Sequence, residues 1–196
     1  MKALFVLASY LLGSVPSGYL MVRWTGRKDV RDFGSRSTGA TNVLRVGGWK
    51  TALPVALFDI LKGFLPVFLA GKLTGDPLLA ALCGAAAVVG HCFPFAIGFR
   101  GGKGVATALG AFAAISAVPV LASAGVFLVV VALTRYVSLG SVLAALVYPA
   151  VFLAAGGRRD VALVAAGLAV LIVLRHRANI ARLLEGTERK LGEKAS

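Results

Sequence analysis

The stretch Gly104–Thr134, GVATALGAFAAISAVPVLASAGVFLVVVALT, runs 31 residues without a formal charge. As one straight helix it would be about 46 Å long, at about 1.5 Å per residue. The hydrocarbon core of a bilayer is only about 30 Å thick. Ser116 and Pro119, set among alanines near its middle, mark a break, because proline removes a backbone donor and crowds the preceding turn. The run therefore reads as two short helices that cross and return. Its flanks, Lys103 and Arg135, then lie on the same side of the membrane.

That reading decides the count. The apolar segments Ala3–Val22, Thr51–Gly71, Pro77–Ile97, Tyr136–Gly157 and Val161–Leu174 each suit one crossing. With the central run divided there are seven crossings, and 16 of the 21 Lys and Arg residues fall on one side. Only Lys2, Lys72, Arg158 and Arg159 fall on the other, and Lys62 lies within a span. With the run undivided the split is 11 against nine. Loops rich in Lys and Arg stay cytoplasmic. The expected fold is thus an all-α integral membrane protein of seven transmembrane helices. Its N-terminus is outside, its C-terminus is cytoplasmic, and its helices are short around the fourth and fifth spans. Residues 1–196 are expected to form a single polytopic membrane domain.

The whole composition agrees. The chain is 58% hydrophobic with a formal net charge of +13, and its mean hydropathy is +0.86. A soluble chain this basic would suggest nucleic acid. Here the basic residues alternate with spans, so topology and anionic partners account for them. Cys83 and Cys92 lie inside one apolar run, which argues against a disulfide framework or a zinc site.

Three polar stretches fall on the cytoplasmic side of this topology. The first, Gly34–Arg45, combines glycines with Ser35, Ser37, Thr41 and Asn42 as neutral donors. Its Arg36 and Arg45 offer forked cationic donors suited to phosphate. The second runs from Gly90-His91 to Phe99-Arg100-Gly101-Gly102-Lys103-Gly104, just before an apolar helix. Free amides and the helix dipole favour an anion there, although the spacing is not that of a Walker loop. The third, His176–Glu188, would place His176, Asn179 and Leu183 on one face of a continuing helix. A basic anchoring helix needs no histidine and asparagine three residues apart. Asp59 and Lys62, also three apart, can pair inside the second span, either only neutralising each other or supporting the site. Ser14, Ser17, Ser138 and Ser141 either permit close helix packing or line a cavity.

Taken together these motifs resemble the bacterial acyl-phosphate-dependent glycerol-3-phosphate acyltransferase family. The resemblance covers essentially the whole chain. It begins with Gly13-Ser14-Val15-Pro16-Ser17-Gly18-Tyr19-Leu20 and passes through the three polar stretches and Tyr136-Val137-Ser138-Leu139. Ser37 stands where the family usually has asparagine, and Arg100 where lysine is common. The resemblance implies transfer of a fatty acyl group from acyl phosphate to the 1-hydroxyl of glycerol 3-phosphate, the first acylation of phospholipid synthesis. The products are lysophosphatidic acid and phosphate.

Lys103, His176, Arg45 and Asn179 are the expected catalytic residues. Ser35, Ser37, Gly39, Thr41, Asn42, Arg45, Gly101, Gly102, Lys103, Ser141, Arg177 and Glu188 are expected to bind substrate phosphate. The His-x4-Asp signature of other glycerolipid acyltransferases is absent, since Ala96 and Ala181 stand five residues after the histidines. The proton acceptor is then either a substrate phosphate or His176. No cofactor, metal, nucleic acid or obligate protein partner is expected, and membrane lipids surround the chain. The competing reading is a membrane transporter for a phosphorylated anion.

Overall fold

The computed structural model describes residues 1–26 and 28–193. Arg27 and Lys194, counted above among the charges of the basic side, lie outside the described residues. Among the described residues all regular structure is helical.

The first span is two helices. α1 (Lys2–Gly13) and α2 (Ser17–Gly26) are separated at Ser14–Pro16, where Pro16 disfavours helical geometry at Val15. α3 (Ala40–Gly47) is short and leads through Gly48, at φ +73°, into α4 (Trp49–Thr74). α5 (Pro77–Cys92) starts on Asp76, whose carboxylate accepts the amides of Leu78 and Leu79. Proline follows directly at the first helical position, where the missing donor costs nothing.

The central run breaks where its residues predict. α6 (Val105–Ile115) and α7 (Ala117–Thr134) meet at Ser116, which is extended at φ −158°. Pro119 sits in the first turn of α7, a position at which its lost amide would lack a helical partner anyway. α8 (Val137–Ala154) follows, then α9 (Arg159–Arg175) and α10 (Arg177–Leu184). The expected continuous helix through the third polar stretch is not formed. α9 and α10 are bent by 57° at His176, whose imidazole and amide both engage the Ile172 carbonyl. A side chain competing for that carbonyl is a recognised cause of kinking.

Among the described residues, five stretches are long and apolar enough to cross a membrane: Lys2–Gly26, Trp49–Thr74, Pro77–Ile97, Ala117–Thr134 and Val137–Ala154. The bent pair α9–α10 makes a sixth. α6 has 11 residues and so is about 16 Å long. The outer surface is apolar: Leu121, Leu128, Leu133 and Leu163 are all at least 65% exposed, as helices solvated by lipid require. Close helix approach relies on small residues. A side chain at Gly63 would strike the Thr107 carbonyl, and one at Gly110 the Ile60 carbonyl, so α4 and α6 touch backbone to backbone.

One end of the bundle gathers the polar loops. Arg31 reaches the Ile97 carbonyl, Arg45 the Arg189 carbonyl and Arg135 the Leu191 carbonyl. Lys103 and Ser138 are both tied into the same Glu188 cluster described below. The run 104–134 therefore leaves that end and returns to it.

Candidate active site

A cavity of about 310 Å³ opens among the loops at this end and extends between α6, α7 and α8. Its two parts differ in chemistry. The polar part is bordered by Ser35, Ser37, Gly39, Thr41, Asn42, Arg45, Lys103, Ser138, Ser141, His176, Asn179 and Glu188. The apolar part is bordered by Val105, Leu109, Phe112, Phe127, Ala144 and Tyr148, among others. Phe112 and Tyr148 stack with centroids 3.8 Å apart, and Phe152 continues the stack at 5.9 Å.

The polar part is organised by Glu188. Its carboxylate accepts Asn179 Nδ2 at 2.6 Å, Ser138 Oγ at 2.8 Å and Arg182 Nε at 2.7 Å. Burial alone would raise its pKa, but these donors outweigh that and hold it below the usual carboxylate range. Asn179 in turn accepts Lys103 Nζ at 2.5 Å. Burial pushes Lys103 down to about 8, with Glu188 opposing the shift and Arg182, Arg45 and Arg175 adding to it. The lysine thus stays cationic at neutral pH while being poorly solvated. An incoming anion would satisfy it.

His176 is 2% exposed. Burial, then the nearby Lys103 charge, pushes it down to about 4. The imidazole is therefore neutral at neutral pH. With Nδ1–H donated to the Ile172 carbonyl at 2.8 Å, Nε2 carries the free lone pair. Its chemistry is that of a hydrogen-bond acceptor rather than a cation.

The first polar stretch is folded around Asn42, which is 1% exposed. Its Nδ2 lies at 2.9–3.1 Å from the carbonyls of Ser37, Val30 and Phe33, and its Oδ1 accepts the Ser35 amide at 2.9 Å. Those bonds occupy the side chain, so Asn42 shapes the loop. The donors turned to the cavity are its neighbours: Ser35, Thr41, Arg45 and the first turn of α3, whose leading amides an α-helix leaves without intrahelical acceptors. α6 begins at the same cavity from Gly104, which takes the left-handed φ of +85°.

Several expected residues stand apart. Arg177 is exposed and outside the cavity. Arg36 and Arg100 line a separate surface cleft with Arg31 and Asp32. Gly101 and Gly102 are buried beneath the cavity rim. Ser141 borders the cavity, with its hydroxyl donated to the Val137 carbonyl at 2.8 Å.

Sequence reasoning missed Arg175, which donates to the Gly102 carbonyl at 2.9 Å and the Gly101 carbonyl at 3.3 Å while lying over the Phe93 ring. It also missed the apolar lining, because Phe112 and Tyr148 are indistinguishable in sequence from lipid-facing residues. Cys83 and Cys92 are buried and free.

The chain matches the family model described as glycerol-3-phosphate acyltransferase over residues 3–186. A glycerol-3-phosphate acyltransferase of Synechococcus sp. (strain CC9902) is 46% identical over 99% of this chain and 98% of its own. One of Geobacter sulfurreducens is 46% identical over 93% of each. Among solved structures, that of PlsY (YgiH), an integral membrane glycerol 3-phosphate acyltransferase, in its glycerol 3-phosphate form superposes with a TM-score of 0.94. It is 41% identical, over 97% of this chain and 96% of that one. The lysophosphatidic acid form of the same protein superposes with a TM-score of 0.90 at 40% identity, over 97% and 95% of the two chains.

Proposed function

This chain belongs to the glycerol-3-phosphate acyltransferase family, and from that membership we propose the reaction its cavity performs. It is an integral membrane enzyme that acylates glycerol 3-phosphate. The donor is acyl phosphate, and the products are 1-acyl-glycerol 3-phosphate and inorganic phosphate. The observation that carries this reading is that one cavity joins a cationic end at Arg45 and Lys103 to an apolar end at Phe112 and Tyr148. A phosphate at each substrate's head and an acyl tail on one of them fit that division.

Acyl phosphate is a mixed anhydride, so its leaving group is good and no covalent enzyme intermediate is needed. The 1-hydroxyl oxygen of glycerol 3-phosphate attacks the acyl carbonyl carbon. The carbon–oxygen bond to phosphate breaks, and phosphate departs with that electron pair. The hydroxyl proton passes to a substrate phosphate or to Nε2 of His176. The enzyme's task is to hold two anions together, which costs repulsion unless cations stand between them. Arg45 and Lys103 supply that charge. Asn179, Ser35, Ser37, Thr41 and the opening turns of α3 and α6 supply neutral donors, some of them toward the carbonyl oxygen as its negative charge develops. Glu188 holds Asn179 and Ser138 in place.

In this reading α6 counts as a seventh, short crossing. The N-terminus is outside and the C-terminus cytoplasmic, so the site faces the cytoplasm of a bacterial inner membrane. The gathering of basic loops at that end, where Arg31, Arg45, Lys103 and Arg135 are all tied down, supports it. A transporter would call for polar groups along a midplane path. Among the described residues the charges well inside the spans, Asp59 and Lys62, form an ion pair at 2.7 Å.

The donor is tested by offering the purified protein palmitoyl phosphate or palmitoyl coenzyme A with glycerol 3-phosphate. Product from the phosphate alone supports the assignment. Equal rates with the thioester refute it.

A further inference from the structure

Asp59 and Lys62 lie on one face of α4, 0% and 2% exposed, and their side chains meet at 2.7 Å. A pair that only neutralised itself would need no further partners. This one has three, from different parts of the chain. Ser17 Oγ, at the start of α2, donates to Asp59 Oδ1 at 2.6 Å. Lys62 Nζ donates to the Val15 carbonyl, between α1 and α2, at 2.9 Å. His91 Nδ1, in the last turn of α5, lies 3.5 Å from the same Asp59 oxygen. The motif Gly13–Leu20, to which the reaction gives no role, is thus the counterpart of the buried pair.

Both anion-binding loops rest on this cluster. Gly18, next to Ser17, packs against the Thr38 carbonyl with no room for a β-carbon, and Thr38 lies within the first loop. On the other side, the His91 ring lies directly under Gly102, again with no room for a β-carbon. The His91 carbonyl accepts the Gly102 amide at 3.0 Å. From the Asp59 carboxylate, one path therefore runs through Ser17 and Gly18 to the loop before Arg45. The other runs through His91 to the loop that carries Lys103.

We propose that Asp59, Lys62, Ser17 and His91 are positioning residues for acyl transfer: together they set the register of the loop at 35–42 against the loop at 101–103. This rests on the functional reading above and extends it to a cluster at the cavity wall, where Asp59 and His91 themselves border the cavity. Buried ion pairs are costly, and well-packed apolar residues often replace them without loss of stability. Their hydrogen bonds, unlike apolar packing, are directional. Glycine loops are soft, and a misplacement of about 1 Å at a reacting centre can cost about a hundredfold in rate.

The test replaces both charges together, Asp59→Leu with Lys62→Met, so that neither is left unpaired. Thermal stability in detergent, KM for glycerol 3-phosphate and kcat are compared with the parent. Ser17→Ala, His91→Ala and His91→Asn are measured beside it. The double variant is expected to melt within a few degrees of the parent, with KM for glycerol 3-phosphate raised about tenfold or more. Ser17→Ala and His91→Ala should raise KM less. His91→Asn, which returns a nitrogen donor close to the place of Nδ1, should recover most of what His91→Ala loses. A stable double variant with the parental KM overturns the proposal. Should the double variant fail to fold, Ser17→Ala decides, because it removes a single oxygen, and an unchanged KM there overturns it. A parent protein that does not acylate glycerol 3-phosphate refutes the functional reading instead, before any variant is compared.

Discussion

Replacing Lys103 by methionine keeps most of the side chain's length and removes its charge. Lys103 Nζ is 2.5 Å from Asn179 Oδ1 and borders the cavity. A phosphate oxygen about 4 Å from that ammonium would gain about 4 kcal/mol per unit charge at an effective dielectric constant of about 20. Arg45 borders the same cavity and retains part of the attraction, so the expected net loss is about 3 to 4 kcal/mol. At about 1.4 kcal/mol per factor of ten, kcat/KM for glycerol 3-phosphate should fall about 10²- to 10³-fold, measured by phosphate release at saturating donor.

Stability should move the other way or not at all. Because the folded pKa, about 8, lies below the ordinary lysine value of 10.5, the charged lysine carries a folding cost at pH 7. That cost is relieved as pH rises through this window. The methionine variant should therefore melt at the parental temperature or above. A loss of kcat/KM under tenfold refutes the reasoning. So does a larger loss that comes with a collapsed melting temperature, since the deficit would then belong to the fold.

Activity should decline above about pH 8 as Lys103 loses its proton. If a substrate phosphate takes the hydroxyl proton, the acid limb of kcat/KM lies near its second ionisation, at about pH 6. If His176 takes it, the limb lies near 4, and His176→Gln abolishes turnover instead of sparing most of it. Asn42→Ala should cost about 2 to 4 kcal/mol, read as a lowered melting temperature, because it strips buried carbonyls of their donor. Tyr148→Ala should shift the preferred acyl phosphate toward longer chains, read by competition between donors of different length. Turnover should be unchanged in the presence of a chelator.

The fold was legible where charge and length constrain it. The uncharged run 104–134 is too long for one crossing, and Ser116 and Pro119 mark its break, which the structure places at Ser116. The bend at His176 was not legible, because it depends on an imidazole competing for the Ile172 carbonyl. Residue type alone does not reveal that competition. In the site, Arg45, Lys103, His176, Asn179 and Glu188 do converge, since polar groups in so apolar a chain have few other places to go. Their individual tasks were less visible. Asn42 turned inward to hold its own loop, His176 proved neutral because it is buried beside a lysine, and Arg177 pointed away while its neighbour Arg175 held the glycine loop. Each of these outcomes is set by which way a side chain faces after the helices have packed, and sequence spacing does not fix that.

In the proposed reaction one cavity holds acyl phosphate beside glycerol 3-phosphate, and the acyl group passes directly to the 1-hydroxyl without a covalent enzyme intermediate. It is tested most directly by incubating the purified protein in detergent with acyl phosphate, with and without glycerol 3-phosphate, and counting both products. Direct transfer gives inorganic phosphate and lysophosphatidic acid in equal amounts, with neither formed when the acceptor is omitted. Phosphate released without acceptor, or a burst of phosphate equal to the enzyme before any lysophosphatidic acid appears, would contradict it.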